Sequence, residues 1–157
     1  MASANNNLSG YDASKVPDGQ NYRIAIVVAE WNISITDNLY QGARKTLLDH
    51  NVQSENIVKV DVPGSFELIY GASKVQRQGF DAVIAIGSII QGETRHFEFI
   101  ANAVSQGIKD LNLNGKAPVI FCILTDDNIE QSKARSGGEM GNKGIEAAVT
   151  ALRMIAL

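Results

Sequence analysis

The sequence predicts an α/β protein, a three-layer αβα sandwich on a four-stranded parallel sheet, and three observations predict it. Four short apolar segments, Ile24 to Ala29, Ile57 to Val62, Ala82 to Ile86 and Val119 to Leu124, are separated by stretches whose apolar residues recur at helical spacing. Three of the four are apolar without interruption, as strands covered on both faces must be. At 157 residues with 45% hydrophobic side chains, the chain can fill one core but not two.

Residues 1 to about 20, rich in Ala, Asn, Ser and Asp, are too polar to bury and are expected to form a flexible N-terminal arm, leaving 21–157 as a single domain. Ile24 to Ala29 is the first strand. Ile35, Leu39, Ala43, Thr46 and Leu47 then mark the buried stripe of a helix, with Ser34 and Asp37 spaced as a variant capping box. In the second strand Lys59 and Asp61 alternate with Val58, Val60 and Val62, which predicts an edge strand. Phe66, Ile69, Ala72 or Ser73, and Gln76 form a weaker helical stripe. After the third strand, Phe97, Ile100, Ala101, Val104, Ile108 and Leu111 predict a long helix from about Thr94, ended by Gly115 and Pro118. The fourth strand leads to a short helix near 128–135, a Gly-rich connector, and a last helix carrying Ile145, Ala148, Val149, Leu152 and Ile155. Right-handed crossovers between such strands give a flavodoxin-like fold, whose ligands bind beyond the carboxyl ends of the strands. Function is expected just after Ala29, Val62, Ile86 and Leu124.

Composition narrows the classes of function. The formal net charge of -3 has mixed signs and no basic stripe, which argues against nucleic acid. No run approaches a membrane span, and the N-terminus lacks the basic start and apolar stretch of a signal peptide. The one cysteine, Cys122, fits a reducing compartment, so a cytoplasmic location is expected. Metal-ligand spacing, a G-x-S-x-G elbow and a G-x-G-x-x-G loop are all missing, so no metal and no classical dinucleotide is expected.

Four segments at the ligand edge could carry chemistry. Gly87 to His96 leads into a helix whose first backbone N–H groups, near Gly92 to Arg95, suit phosphate or carboxylate. His96 follows in the first helical turn, where an imidazole of pKa ~6.5 exchanges protons at neutral pH. Pro63 to Glu67 projects Ser65, Phe66 and Glu67 toward the same edge. Trp31 and Asn32 occupy the equivalent place after the first strand, and Trp31 suits stacking on a planar ring. Arg135, opening the connector that also holds Lys143, suits bidentate phosphate binding. Taken singly, each segment also reads as ordinary structure: a turn with Thr94 as N-cap, Ser65 as a cap, Phe66 as core, the connector as a solvated loop. Together they suit the joining of a flat heterocycle to a small phosphorylated partner by proximity and proton transfer.

Val62-Pro63-Gly64-Ser65-Phe66-Glu67-Leu68, the Gly87-to-His96 turn with Phe97-Glu98-Phe99, Pro118-Val119-Ile120-Phe121, and Arg135 followed by Gly141-Asn142-Lys143-Gly144 occur in that order. Over nearly all of residues 23 to 156 the chain resembles the lumazine synthase family of riboflavin biosynthesis. The resemblance implies condensation of 5-amino-6-ribitylaminouracil with 3,4-dihydroxy-2-butanone 4-phosphate to 6,7-dimethyl-8-ribityllumazine, phosphate and water, with no cofactor.

It also implies roles. Trp31 stacks on the pyrimidine, while Ser65, Phe66, Glu67, Ser88, Ile89 and Ile90 line the pocket for its ring and ribityl chain. Glu93 and Thr94 hold the phosphate and His96 shuttles protons. Phe121 and Arg135 come from the adjacent subunit of a homo-oligomer, Arg135 to the phosphate, and Lys143 matches a cation near the pyrimidine. Family assemblies include pentamers, decamers and sixty-subunit shells. Many relatives carry Lys where Glu139 stands and a basic residue where Gln91 stands, so the local positive charge is lower here. A flavin- or lumazine-binding or shell-forming protein of the same fold, without turnover, is the alternative.

Overall fold

The computed structural model describes residues 7–157. Strands β1 (Ile24–Ala29), β2 (Ile57–Val62), β3 (Ala82–Ile90) and β4 (Val119–Asp126) form one parallel sheet in the order β2-β1-β3-β4. The helices are α1 (Ile33–Asp49), α2 (Leu68–Gln76), α3 (His96–Asn114), α4 (Ile129–Arg135) and α5 (Lys143–Ile155). A small hairpin of β5 (Ser136–Gly138) and β6 (Gly141–Asn142) joins α4 to α5.

Side-chain alternation divides the core into two apolar layers. Ile24, Ile26 and Val28, with Ile84, Ile86, Cys122 and Leu124, pack against Leu39, Ala43 and Leu47 of α1 and Ala148 and Leu152 of α5. Ala25, Val27, Val83, Ala85 and Ile123 point the other way, onto Leu68, Ala72 and Val75 of α2 and Val104 and Ile108 of α3. The result is the expected αβα sandwich. Every residue of β1 is buried, whereas β2 shows the half-exposed alternation of an edge strand. Full burial of a leucine such as Leu39 contributes about 1.5–3 kcal/mol.

Three local expectations are corrected. The first helix begins at Ile33 behind Asn32, whose backbone is left-handed (φ 59°), and Ser34 lies inside the helix instead of capping it. The buried stripe of α2 is Leu68, Ala72 and Val75, because its first turn starts only at Leu68 and Phe66 stays outside at 50% exposure. The Gly-rich connector is no open loop: Ser136 pairs with Asn142 and Gly138 with Gly141 in the hairpin.

The arm expected over residues 1 to about 20 is described from residue 7, and this part touches the body of the same chain. Leu8 N donates to Met140 O (2.8 Å), Asn142 N to Ser9 Oγ (2.9 Å) and Gly19 N to His50 O (2.8 Å). Residues 1–6 lie outside the described residues. No described helix is long and apolar enough to cross a membrane.

Burial pushes the Cys122 thiol up to about 12 from its ordinary 9.0. The unfolded thiol therefore ionises first, and stability falls as pH rises through the interval between those values. At pH 8 a thiol-alkylating reagent should modify the native protein only as fast as it opens, and the denatured chain at once; rapid labelling of the native state would contradict this burial.

Candidate active site

The carboxyl ends of β1, β2 and β3 meet around a cavity of about 790 Å³. Backbone bonds carry the register of the sheet out into the turns: Glu30 N donates to Val62 O (2.8 Å) and Trp31 N to Pro63 O (3.2 Å). The turns after β1 and β2 are thereby held side by side. Asn32 Nδ2 donates to Ser88 O at 3.0 Å, tying the turn after β1 to the adjacent strand β3. That bond gives the left-handed residue a reason, since Asn is among the few side chains that tolerate this conformation.

Ser65 is seated on the sheet where β3 has no side chain. A Cβ at Gly87 would come within 2.7 Å of Ser65 Oγ and 2.9 Å of Leu68 Cδ1, so only glycine admits the turn this closely. Phe66 and Trp31, 50% and 71% exposed, stand at the cavity rim with much of their aromatic surface uncovered. Ser88 is 1% exposed, and its Oγ has no hydrogen-bond partner within the described chain. An unpartnered buried hydroxyl costs about 1–3 kcal/mol, which marks Ser88 as a place where a ligand's polar group would be welcome.

β3 runs four residues further than expected, to Ile90, because Gly87, Ser88, Ile89 and Ile90 continue the ladder against Ile123, Leu124, Thr125 and Asp126. The turn is accordingly shorter, and α3 begins at His96 instead of near Thr94. Arg95 is the cap residue, with no side-chain cap bond, while the Thr94 hydroxyl accepts from His96 N at 3.3 Å. The cradle donors thus belong to the first turn from His96 on, and the loop 91–95 forms the lip in front of them. Gln91 uses its side chain within this lip, donating from Nε2 to Gly92 O at 2.6 Å.

Ten of the residues singled out from sequence line this cavity: Trp31, Asn32, Ser65, Phe66, Glu67, Ser88, Ile89, Ile90, Thr94 and His96. Glu93, Phe121, Arg135 and Lys143 do not. Phe121, 36% exposed on edge strand β4, faces a separate shallow hollow with Ile108 and Asn112. Arg135 ends α4 near the carboxyl end of β4, its Nη1 on Gln131 O (3.1 Å) and its Nε 3.8 Å from Asp126. Lys143 is largely buried against Glu146 (2.6 Å) and shares the Cys122 side of the sheet. Phe97 and Ile100 also line the cavity, although their spacing marks them only as core. Half-burial on a helix facing a gap leaves no separate sequence signal.

The lining thus has aromatic faces, buried and exposed hydroxyls, a helix N-terminus, Glu67 and His96, but no Lys or Arg among the described residues. Among those residues no group of three or more His, Cys, Asp or Glu could hold a metal ion. The arrangement suits a flat polar heterocycle at the aromatics and an anion at the α3 terminus, where the His96 imidazole also lines the cavity.

Comparison with known proteins agrees with the chemistry of this cavity. Residues 21–157 match the family described as 6,7-dimethyl-8-ribityllumazine synthase. A protein of that name from Christiangramia forsetii is 55% identical, over 100% of this chain and 95% of its own length. One from Flavobacterium johnsoniae is 56% identical over 98% of this chain and 82% of its own, and one from Cytophaga hutchinsonii 53% over 99% and 98%. With its sheet order, its cavity and this identity along its whole length, the chain belongs to the 6,7-dimethyl-8-ribityllumazine synthase family.

Proposed function

We infer that this chain is the transferase that joins 5-amino-6-ribitylaminouracil to 3,4-dihydroxy-2-butanone 4-phosphate, giving 6,7-dimethyl-8-ribityllumazine, phosphate and water. The observation that carries this reading is the placing of Trp31, Phe66, Thr94 and His96 around one cavity at the α3 N-terminus. The pyrimidine stacks on Trp31 and Phe66, its polar edge meets Ser65, Glu67 and the unpartnered Ser88 hydroxyl, and Asn32, Ile89 and Ile90 shape the remaining wall. The phosphate of the second substrate sits at Thr94 and the first-turn N–H groups, with Glu93 at the lip contributing backbone.

Holding both substrates in one cavity supplies most of the acceleration, because the bond-forming step becomes effectively intramolecular. The amine of the uracil condenses with the ketone and loses water. Loss of phosphate then requires a proton to leave the neighbouring carbon. The second ring closes when the ribityl-bearing nitrogen attacks the remaining carbonyl and a second water leaves, which requires further proton transfer. His96 is the imidazole in the cavity wall that moves these protons.

The missing cation points outside the subunit. We propose that a second copy of the chain brings Phe121 over the pyrimidine and Arg135 to the phosphate, and that Lys143, held by Glu146, adds positive potential near the pyrimidine. The functional unit is then a homo-oligomer with sites between adjacent subunits, built from residues 21–157 with 1–20 as an arm, and acting in the cytoplasm. A non-catalytic binding or shell-forming protein would have no use for a histidine and an anion cradle on the same wall.

Mixing the purified protein with both substrates should produce lumazine absorbance and release phosphate faster than the uncatalysed mixture; equal rates would refute the enzyme reading. His96→Ala should lower turnover by about tenfold or more while product affinity stays within about twofold. This is less than the usual 10²–10⁴-fold for a positioned acid-base group, because proximity survives the substitution. Unchanged turnover would remove His96 from its role.

A further inference from the structure

We propose that Asp126 is a positioning residue for catalysis, which holds the Arg135 guanidinium in the direction from which it serves a neighbouring copy's phosphate site. The proposal rests on the reading of Arg135 as a phosphate ligand. Asp126 is the last residue of β4 and its side chain is 7% exposed, an expensive place for a carboxylate without a partner. Ser132 Oγ donates to Asp126 Oδ2 at 2.8 Å, and the Arg135 Nε stands 3.8 Å from Oδ1. The carboxylate is not a cap for α4, because Asn128 already accepts from Gln131 N at the start of that helix.

The same guanidinium is fixed at a second point, where Nη1 donates to Gln131 O at 3.1 Å. With Nε turned to Asp126 and Nη1 to Gln131, the Nη2 edge is the part left for a ligand, and the side chain remains 34% exposed. An arginine at the end of a seven-residue helix otherwise samples many rotamers, and ordering it at the moment of binding weakens affinity. Asp126 removes that cost beforehand. Its backbone adds a second link, since Asp126 O accepts from Gln91 N at 2.9 Å where the anion loop begins. One residue therefore anchors both the loop that receives phosphate in its own subunit and the arginine extended to the next. No spacing pattern reveals this: Asp126 reads from sequence as one more residue of an acidic turn.

The test compares wild type, Asp126→Asn, Arg135→Ala and the double variant as assembled enzymes, their size verified by light scattering. Asp126→Asn keeps the shape and the Ser132 bond but removes the charge, and should raise KM for the butanone phosphate roughly three- to tenfold with KM for the uracil unchanged. Arg135→Ala should raise it further, and the double variant should match Arg135→Ala, because Asp126 acts only through that side chain. If Asp126→Asn does not assemble, the smaller neutral Asp126→Ser reads the same effect. An unchanged or lower KM in the Asp126 variant beside a raised one in Arg135→Ala overturns the positioning role alone, as do additive effects. No change in Arg135→Ala overturns the phosphate reading and the proposal with it.

Discussion

The last rungs between β3 and β4 determine where everything functional lies. Gly87 to Ile90 pair in register with Ile123 to Asp126, and this extension brings Ser88, Ile89 and Ile90 to the cavity. It also sets the starting point of the 91–95 lip and of α3, hence the position of His96. On the partner strand the same rungs place Asp126, and through it α4 and Arg135. A parallel ladder permits no independent shift of these features: slipping one strand by a residue would turn its buried side chains onto the opposite layer.

That constraint also keeps the residues assigned to the proposed site apart within one chain. The cavity opens over β1, β2 and β3, on aromatics and the α3 terminus, while Phe121 lies on edge strand β4 and Arg135 near the carboxyl end of that strand. No rotamer change carries an edge-strand phenylalanine across the sheet to the cavity. On the proposed reading the β4 side of one copy meets the cavity of another, and an oligomer of repeated contacts would achieve this at every subunit.

Much of this was legible in the amino-acid order, and for identifiable reasons. The uninterrupted apolar runs of β1, β3 and β4 reveal the sheet and the alternating β2 one of its edges, whereas β4, apolar on both faces, is the other edge and carries no such mark. Ser65, Phe66, Thr94 and His96 are legible as a site because the fold class puts strand ends together. What escaped depended on tertiary detail. Asn32 adopts a left-handed turn secured by a bond to Ser88 on β3, a contact 56 residues away, and so displaces the local capping signal of Ser34. β3 continues through Gly87 on its ladder with β4, and residue 87 is glycine because Ser65 needs the space a side chain would fill. Phe97 and Ile100 face a cavity formed only when α3 meets the turns after β1 and β2, and Asp126 matters only beside Arg135.

The central claim, that each site is built from two copies, is tested most directly by mixing two inactive subunits. A chain with His96→Ala retains Arg135, and a chain with Arg135→Ala retains His96. Dissociated together and reassembled, they should regain activity well above the sum of the two separate assemblies, because some contacts then join an intact cavity to an intact arginine. If mixed oligomers form and activity stays at that sum, both residues serve a single chain and the account is wrong.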